Sequence, residues 1–298
     1  MNNQESDVSV VIPVRNRPAV IQRAIESALT QTYPVREVVV VDDGSTDETP
    51  QVIERLADAN PPIRLLRQPE ARGAPAARNR GAQNSSGTFI AFLDSDDVWL
   101  PTHVESLRAL LKAQPEAPAA FSNYLIEYRG RPTKVTRIPA RVTLDMLLKR
   151  NAIGGSSLVL VRRTAFEAIG GFRDPMPSCQ DWDLWLRLAE LGDLPVEPKP
   201  QVRYFFDGSD RISKNPERVF AGHRIIFGHI ESLIADRADA KRVRAEHQLR
   251  LAEINSRHTF RPARAITHAM KALQLDPSAK RLIDVPKVML VLALYHLT

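Results

Sequence analysis

Cysteine is almost missing from this sequence. A single thiol, Cys179, in 298 residues rules out an internal disulfide and a cysteine-based zinc site, and it suits a reducing compartment. Glycine is scarce as well. None of the 13 falls in the first expected strand-to-helix turn, Pro13–Pro18, which removes support for a glycine-rich dinucleotide fingerprint. No apolar run approaches the roughly 18–20 residues that span a bilayer. The opening residues Met1-Asn2-Asn3-Gln4-Glu5 have neither the basic patch nor the apolar core of a signal peptide. The expected location is therefore cytoplasmic. The histidines show no metal-ligand spacing.

What is present is ordinary in amount and uneven in place. With 43% hydrophobic and 26% charged residues, the composition is that of a soluble globular protein large enough for one or two domains. The net charge of +6 belongs wholly to the C-terminal part: residues 215–298 carry 14 Lys and Arg against 8 Asp and Glu, and residues 1–214 carry 27 of each. A body without net charge argues against a nucleic-acid partner. The basic end closes on the apolar run Val288–Leu297, too short to span a membrane but able to lie on an anionic surface. A helical cap packed on the body or on a second subunit accounts for this tail equally well.

The chain is organised around Thr88–Asp97. Five apolar residues, 89–93, follow Gly87 and end abruptly in Asp94, Asp96 and Asp97. The apolar part reads as a strand buried on both faces, since it does not alternate. Carboxylates at the carboxyl end of such a strand sit where open α/β sheets bind ligands. Three of them repel one another unless a hard divalent cation, Mg²⁺ or Mn²⁺ shared with a phosphate, neutralises them. Asp-Ser-Asp-Asp is also good turn chemistry.

Val8–Val14 and Glu37–Val41 read as two more buried strands, Ile63–Leu66 as a short third, with helices after Pro18, after Thr46 or Ser45 as cap, and over Ala74–Ala82. Such alternation predicts βαβ units and a mostly parallel sheet flanked by helices. Asp42/Asp43 and Asp94/Asp96/Asp97 then face one crevice. Further on, the pattern predicts a helix over 102–113, a strand over Ala119–Tyr128, a basic loop over Arg129–Arg141 and a strand over Ser156–Val161. A helix over Asp181–Leu191 and a last strand over Val202–Phe206 close the body. Only helical patterns follow residue 215, so residues 1–214 are expected as the catalytic domain and 215–298 as a helical extension.

Five motifs in order carry a resemblance. Val10-Val11-Ile12-Pro13-Val14-Arg15-Asn16, Val41-Asp42-Asp43-Gly44-Ser45-Thr46-Asp47, Ala77-Arg78-Asn79-Arg80-Gly81, Phe92-Leu93-Asp94-Ser95-Asp96-Asp97 and Gln180-Asp181-Trp182-Asp183-Leu184-Trp185-Leu186-Arg187 resemble the family-2 glycosyltransferases of the GT-A fold over residues 7–213. The resemblance implies a Rossmann-like GT-A sheet and transfer of a sugar, with inversion, from a nucleotide-diphosphate donor to an acceptor hydroxyl. It implies that Pro13, Arg15 and Asp43 line the nucleotide pocket and that Arg72 and Arg78 serve the base or diphosphate. Asp96 would ligate Mg²⁺ or Mn²⁺, and Asp94 the metal or the ribose. Asp181 would be the general base, with Gln180 where the family usually has Glu. Arg211, in the loop after the last strand, would be a substrate contact, and Trp182 is a candidate sugar contact that also fits the core. By analogy the acceptor would be a glycan or a lipid-linked glycan of surface polysaccharide assembly, worked on in the cytoplasm or at the cytoplasmic membrane face.

The chemistry asks for the same parts. A leaving diphosphate needs charge stabilisation, and an acceptor hydroxyl needs a base. Two other readings fit part of the pattern. Leu93–Val98 also matches the Asp-X-Asp signature of haloacid-dehalogenase phosphatases, with Asp94 as nucleophile, but three strands precede it and Asp42, Asp43 and Asp181 go unexplained. A non-catalytic sugar-nucleotide-binding protein would keep the pocket without using Asp181. Asp181 would then be a helix-capping residue.

Overall fold

The computed structural model describes residues 6–205, 215–257 and 261–278. They group into two compact units, one drawn from 1–144, 152–175 and 181–208, the other from 145–151, 176–180 and 209–298.

In chain order the elements are β1 (Val8–Val14), α1 (Pro18–Leu29), β2 (Glu37–Asp42), α2 (Thr49–Ala59), β3 (Ile63–Arg67), α3 (Ala74–Gln83) and β4 (Phe89–Phe92), then β5 (Val98–Trp99), α4 (His103–Ala113), β6 (Ala119–Tyr128), β7 (Arg131–Val135), β8 (Arg141–Val142), α5 (Leu144–Leu147), β9 (Val159–Arg162), α6 (Arg163–Ala168), α7 (Gln180–Ala189) and β10 (Leu194–Phe205). Among the described residues three helices follow: α8 (Pro216–Ile234), α9 (Ala240–Arg257) and α10 (Pro262–Leu275).

Every residue of β1, β2 and β4 is buried, which is why these runs show no polar alternation. β1 pairs in parallel with β2 on one side and β4 on the other, and β2 pairs in parallel with β3. The sheet order is β3-β2-β1-β4-β9-β6-β10-β5, with β9 antiparallel to both neighbours and β10 parallel to β6. Strand order thus reverses at β1, and Val14, Asp42 and Phe92 end at one edge. That edge is the ligand crevice of an open α/β sheet. Two glycines bring the backbone close there. A Cβ on Gly81 of α3 would lie 2.3 Å from Val11 Cγ1 of β1, so only glycine lets α3 lie so near the sheet. Gly44 has φ +70°, and a Cβ on it would meet Ala71 N at 2.9 Å, so it lets the connection after β3 fold over the end of β2.

Four local expectations are corrected. Arg129–Arg141 is not all loop: it contains β7, antiparallel to β6, whose five residues are all exposed and so carry no apolar signal. The strand expected from Ser156 begins at Val159, and Ser156–Leu158 form a 3₁₀ turn. β10 begins at Leu194 rather than Val202. Its prolines disguise it, and the register breaks on both sides of Pro200. Neither Ser45 nor Thr46 caps α2. Asp47 accepts from Thr49 N at 3.0 Å and from its hydroxyl at 2.6 Å instead.

In the second unit Asn215 caps α8 by accepting from Arg218 N at 3.1 Å. α9 and α10 pack through Leu249, Ala252, Ala269, Ala272 and Leu273. His247 Nε2 lies 2.7 Å from Leu148 O, and Ser178 Oγ donates to Arg218 O at 2.9 Å. Arg211 and the tail Val288–Leu297 lie outside the described residues. Among the described residues, no helix is long and apolar enough to cross a membrane.

Candidate active site

The crevice is built from the first unit. β4 delivers the acidic loop: Leu93 N donates to Val11 O at 3.1 Å, and the chain then turns, closed by Asp97 N to Asp94 O at 3.0 Å. Asp94 Oδ1 accepts from Arg78 Nη2 at 2.5 Å. Arg78 comes from α3, where Ala76, Ala77, Gly81 and Ala82 surround it with small side chains, and it is only 5% exposed. Burial opposes its charge, but the carboxylates of Asp94, Asp181 and Asp96 outweigh that and hold its pKa above the usual value.

Asp96 is held from α1 and the loop before it. Arg17 Nη1 lies 3.0 Å from Asp96 Oδ2, and Arg23 Nη2 donates to Asp96 O at 2.8 Å. Arg23 also stacks on the Phe205 ring at 3.9 Å. Asp97 is buried and accepts from Ser157 Oγ at 2.5 Å. The same Ser157 oxygen accepts from Asp94 N at 3.0 Å.

Asp181 lies in the first turn of α7, and Ser156 Oγ donates to its Oδ1. The carboxyl is packed among protein atoms yet still reached by solvent. Burial pushes it up, Arg78 pulls it down, Asp94 pushes it up again and the Ser156 hydroxyl lowers it, leaving it at about 6. Two residues on, Asp183 is fully buried between Arg187 Nη2 at 2.6 Å and Arg173 Nη1 at 3.3 Å. Two carboxylates of one helix turn therefore have different situations: one reaches towards Arg78 and Asp94, and the other is an internal ion-pair anchor.

Asp43 does something the sequence hid. Its Oδ1 accepts from Gln68 Nε2 at 2.6 Å and from Arg72 N at 2.7 Å, and its Oδ2 from Gly73 N at 2.8 Å. It thereby fixes the connection from β3 to α3 that carries Arg72. Pro13 is buried in β1, opposite Val41 in register, and Arg15 is exposed just beyond the strand end. The Arg72 side chain is also largely exposed, 3.7 Å from Asp174. Trp182 is buried like Trp185, which places its ring in the packed body. A 560 Å³ cavity lined by Gln68, Arg72, Asn79, Arg80 and Asp174, among others, shares Arg72 with this crevice but none of Asp94, Asp96 or Asp181.

The residues missed by sequence reasoning are Arg17, Arg23, Ser156 and Ser157. The pair of serines follows Gly154-Gly155, and four such residues in a row are a loop signal that outweighs the apolar run after them. As a cation site, Asp94 and Asp96 supply hard oxygen donors, each about a third exposed and each offset by an arginine. Among the described residues no three His, Cys, Asp or Glu side chains group to hold an ion alone. The pair fits a cation whose other ligands come from a bound ligand and water.

The sequence profile described as Glycosyl transferase family 2 matches residues 9–170, more than half of the chain. The chain belongs to glycosyl transferase family 2. An uncharacterized glycosyltransferase of Rickettsia felis is 31% identical over 223 residues, which are 70% of this chain but 36% of that protein. The chain thus corresponds to about a third of that relative's length. The Escherichia coli protein WfgD, named UDP-Glc:alpha-D-GlcNAc-diphosphoundecaprenol beta-1,3-glucosyltransferase, is 33% identical over 183 residues, 61% of this chain and 70% of WfgD. Among solved structures, Staphylococcus aureus TarS 1-349 superposes with a TM-score of 0.70 at 19% identity, covering 97% of this chain and 91% of that one. TarS has also been solved with UDP-GlcNAc and with UDP. The mannosyltransferase PcManGT of Pyrobaculum calidifontis, solved with GDP-Man and Mn²⁺, reaches a TM-score of 0.58 at 18% identity over 98% of this chain and 87% of its own. These likenesses show the GT-A type of fold: a mixed sheet with the parallel half at the crevice and a helical C-terminal region.

Proposed function

We propose that this glycosyltransferase moves a sugar from a nucleoside-diphosphate donor to an acceptor hydroxyl with inversion, using Asp181 as the base. One observation carries the reading: a carboxyl raised to about 6, facing Arg78 and the Asp94 loop at the switch-point crevice. A base of that strength is ionised at neutral pH and can accept a hydroxyl proton as the bond forms. The acceptor oxygen attacks the anomeric carbon, its proton passes to Asp181, and the bond to the diphosphate oxygen breaks. One displacement inverts the centre.

The donor diphosphate belongs beside Asp94 and Asp96. A Mg²⁺ or Mn²⁺ ion held there would neutralise charge on the leaving group. Arg17 and Arg78, paired with those carboxylates, would turn to phosphate oxygens of the donor. Pro13, Arg15, Asp43 and Arg72 form the nucleotide side, with Asp43 acting mainly by shaping the loop. We assign Trp182 to packing. Arg211 is kept as a substrate-contact candidate from the sequence alone.

The name of WfgD favours a UDP-sugar donor and a diphospholipid-linked acceptor, and hence surface polysaccharide assembly. We take residues 1–214 as the catalytic domain and 215–298 as an extension whose basic charge favours peripheral contact with anionic membrane. Sedimentation with anionic vesicles at low salt, absent at high salt, is expected. A protein that stays in the supernatant at low salt refutes that contact.

The primary test pairs a thermal-shift panel of UDP-glucose, UDP-GlcNAc and GDP-mannose, each with and without Mn²⁺, with a transfer assay onto a GlcNAc-diphosphoryl lipid. A donor at a hundred times its dissociation constant stabilises by about 2.7 kcal/mol. No shift with any donor, or full transfer in excess chelator, rejects the donor assignment or the metal assignment respectively.

A further inference from the structure

The 3₁₀ turn before β9 clasps both halves of the crevice. On one side, Ser157 Oγ accepts from Asp94 N at 3.0 Å and donates to Asp97 Oδ2 at 2.5 Å, while Ser157 O accepts from Trp99 Nε1 at 2.8 Å. Three bonds therefore tie Ser157 to the acidic loop and the strand after it. On the other side, Ser156 Oγ donates to Asp181 Oδ1, and Gly154 O accepts from Trp185 Nε1 at 3.1 Å, one turn further along α7. Both serines are buried, and both sit between the donor carboxylates and the carboxyl of the base.

We propose that Ser156 and Ser157 are positioning residues that couple the donor loop to the base: Ser157 sets the Asp94–Asp97 turn, and Ser156 aims the Asp181 carboxyl. Adjacent residues of a tight turn cannot move independently, so the distance between the leaving group and the base is set by one short covalent link. This rests on the reading of Asp181 as base. A seryl hydroxyl suits each place because it donates and accepts at once. Ser157 uses both capacities. Ser156 donates to one carboxylate oxygen, which leaves the other, Oδ2, to face an acceptor hydroxyl.

The two serines are expected to fail differently. Ser156→Ala leaves Asp181 able to rotate, and misplacement of a reacting group by about 1 Å costs around 10²-fold, here in turnover with nucleotide affinity within about twofold. Ser157→Ala loosens the loop, and loss of such an outer-shell partner costs about 10–100-fold, here in affinity for UDP with Mn²⁺. Ser157→Ala should also lose amide hydrogen-exchange protection at Asp94, a readout that needs no substrate. Threonine keeps the hydroxyl, so Ser156→Thr and Ser157→Thr should restore most of each loss.

The experiment measures UDP/Mn²⁺ binding by calorimetry and UDP release from the panel sugar that turns over fastest, for the two alanine variants, the two threonine variants and Asp181→Asn. A turnover defect confined to Ser156→Ala and a binding defect dominated by Ser157→Ala, each rescued by threonine, is the expected result. Equal losses in both measures for both alanine variants, following the melting temperature and not rescued, overturn the proposal and make the turn merely structural. Normal turnover in Ser156→Ala beside a dead Asp181→Asn also overturns it while leaving the base in place. An active Asp181→Asn removes the base instead, and the proposal with it.

Discussion

In the first unit the carboxylates of Asp97, Asp181 and Asp183 are drawn inside and answered by arginines or hydroxyls. In the second, Glu231, Glu253 and Glu217 meet Arg244, Arg250 and Arg261 at the surface, every partner a third or more exposed. Both are ion-rich, yet the physics differs. A carboxylate in a poorly solvated site must be matched by specific partners, whereas an exposed pair is screened and replaceable. The first unit has exposed pairs as well, such as Arg141 with Asp193, so what sets its crevice apart is the carboxylates drawn inside.

The sharpest way to break that contrast is Asp181→Asn. The amide keeps the shape but cannot take a proton, so turnover should fall by roughly 10²–10⁴-fold, about 3–5 kcal/mol in the barrier, with donor affinity near wild type. In wild type the same group should give an acidic limb near pH 6 in turnover, activity falling below it as the carboxyl protonates. An active Asn variant would put Asp181 on a par with Glu231.

Asp181 should also weaken the fold it serves. Its carboxyl is raised from the usual 3.8 to about 6 in the folded chain, so folding disfavours the ionised form. The stabilising effect of protonation is full below pH 3.8 and is lost as pH rises through 6, leaving a burden of up to about 3 kcal/mol at pH 8. Asp181→Asn should therefore melt higher than wild type at pH 8, with the gap closing towards pH 4. Buried His103 and His223, both pushed down to about 3, impose the opposite trend on both proteins: their contribution is full above pH 6.5 and fades as pH falls towards 3. The difference between variant and wild type cancels them. A gap independent of pH would show that the carboxyl is not held ionised against its surroundings.

How much of this was legible follows from where each signal lives. β1, β2 and β4 were readable because a short unbroken apolar run is stable only where both its faces are covered, and the carboxyl ends of β2 and β4 located the acids. β7 was not, since Arg131–Val135 is exposed and owes its place to pairing with β6. β10 was hidden by its own prolines. At the site, Asp94, Arg78 and Asp181 were nominated singly and prove to be electrostatically linked. The partners of the site's acidic residues, Arg17, Arg23, Ser156 and Ser157, lie far along the chain from them, from 25 residues for Ser156 and Asp181 to 79 for Arg17 and Asp96, and no local pattern reports such a contact. Asp43 was nominated for a nucleotide, but its hydrogen bonds to the 68–73 connection are equally invisible to local pattern.

A middle-sized effect is expected at Asp96. Asp96→Asn keeps one oxygen but loses the charge, and affinity for UDP with Mn²⁺ should drop about 10–100-fold while affinity without metal changes little. Calorimetry with and without chelator separates the two. Equal affinity in the variant and wild type under both conditions would leave Asp96 as no more than a partner for Arg17.

The smallest effect should come from the second unit, and it tests the other half of the contrast. Glu231 of α8 and Arg244 of α9 form a two-pronged pair, Nε to Oε2 at 3.0 Å and Nη2 to Oε2 at 2.9 Å, with both side chains about a third exposed. The geometry is as good as any in the site. Water competes for both groups, however, and holding two long side chains still costs entropy, up to about 2 kcal/mol for each if fully ordered. Such pairs return about 0.2–1 kcal/mol in double-mutant cycles. The cycle of Glu231→Gln and Arg244→Gln, read from denaturant midpoints, should give a coupling in that range. At 1 M salt, where the screening length is about 3 Å, the coupling should shrink further. A coupling above about 2 kcal/mol that ignores salt would mean this pair is desolvated in solution, and the division between a costly buried electrostatics and a cheap exposed one would not follow the two units.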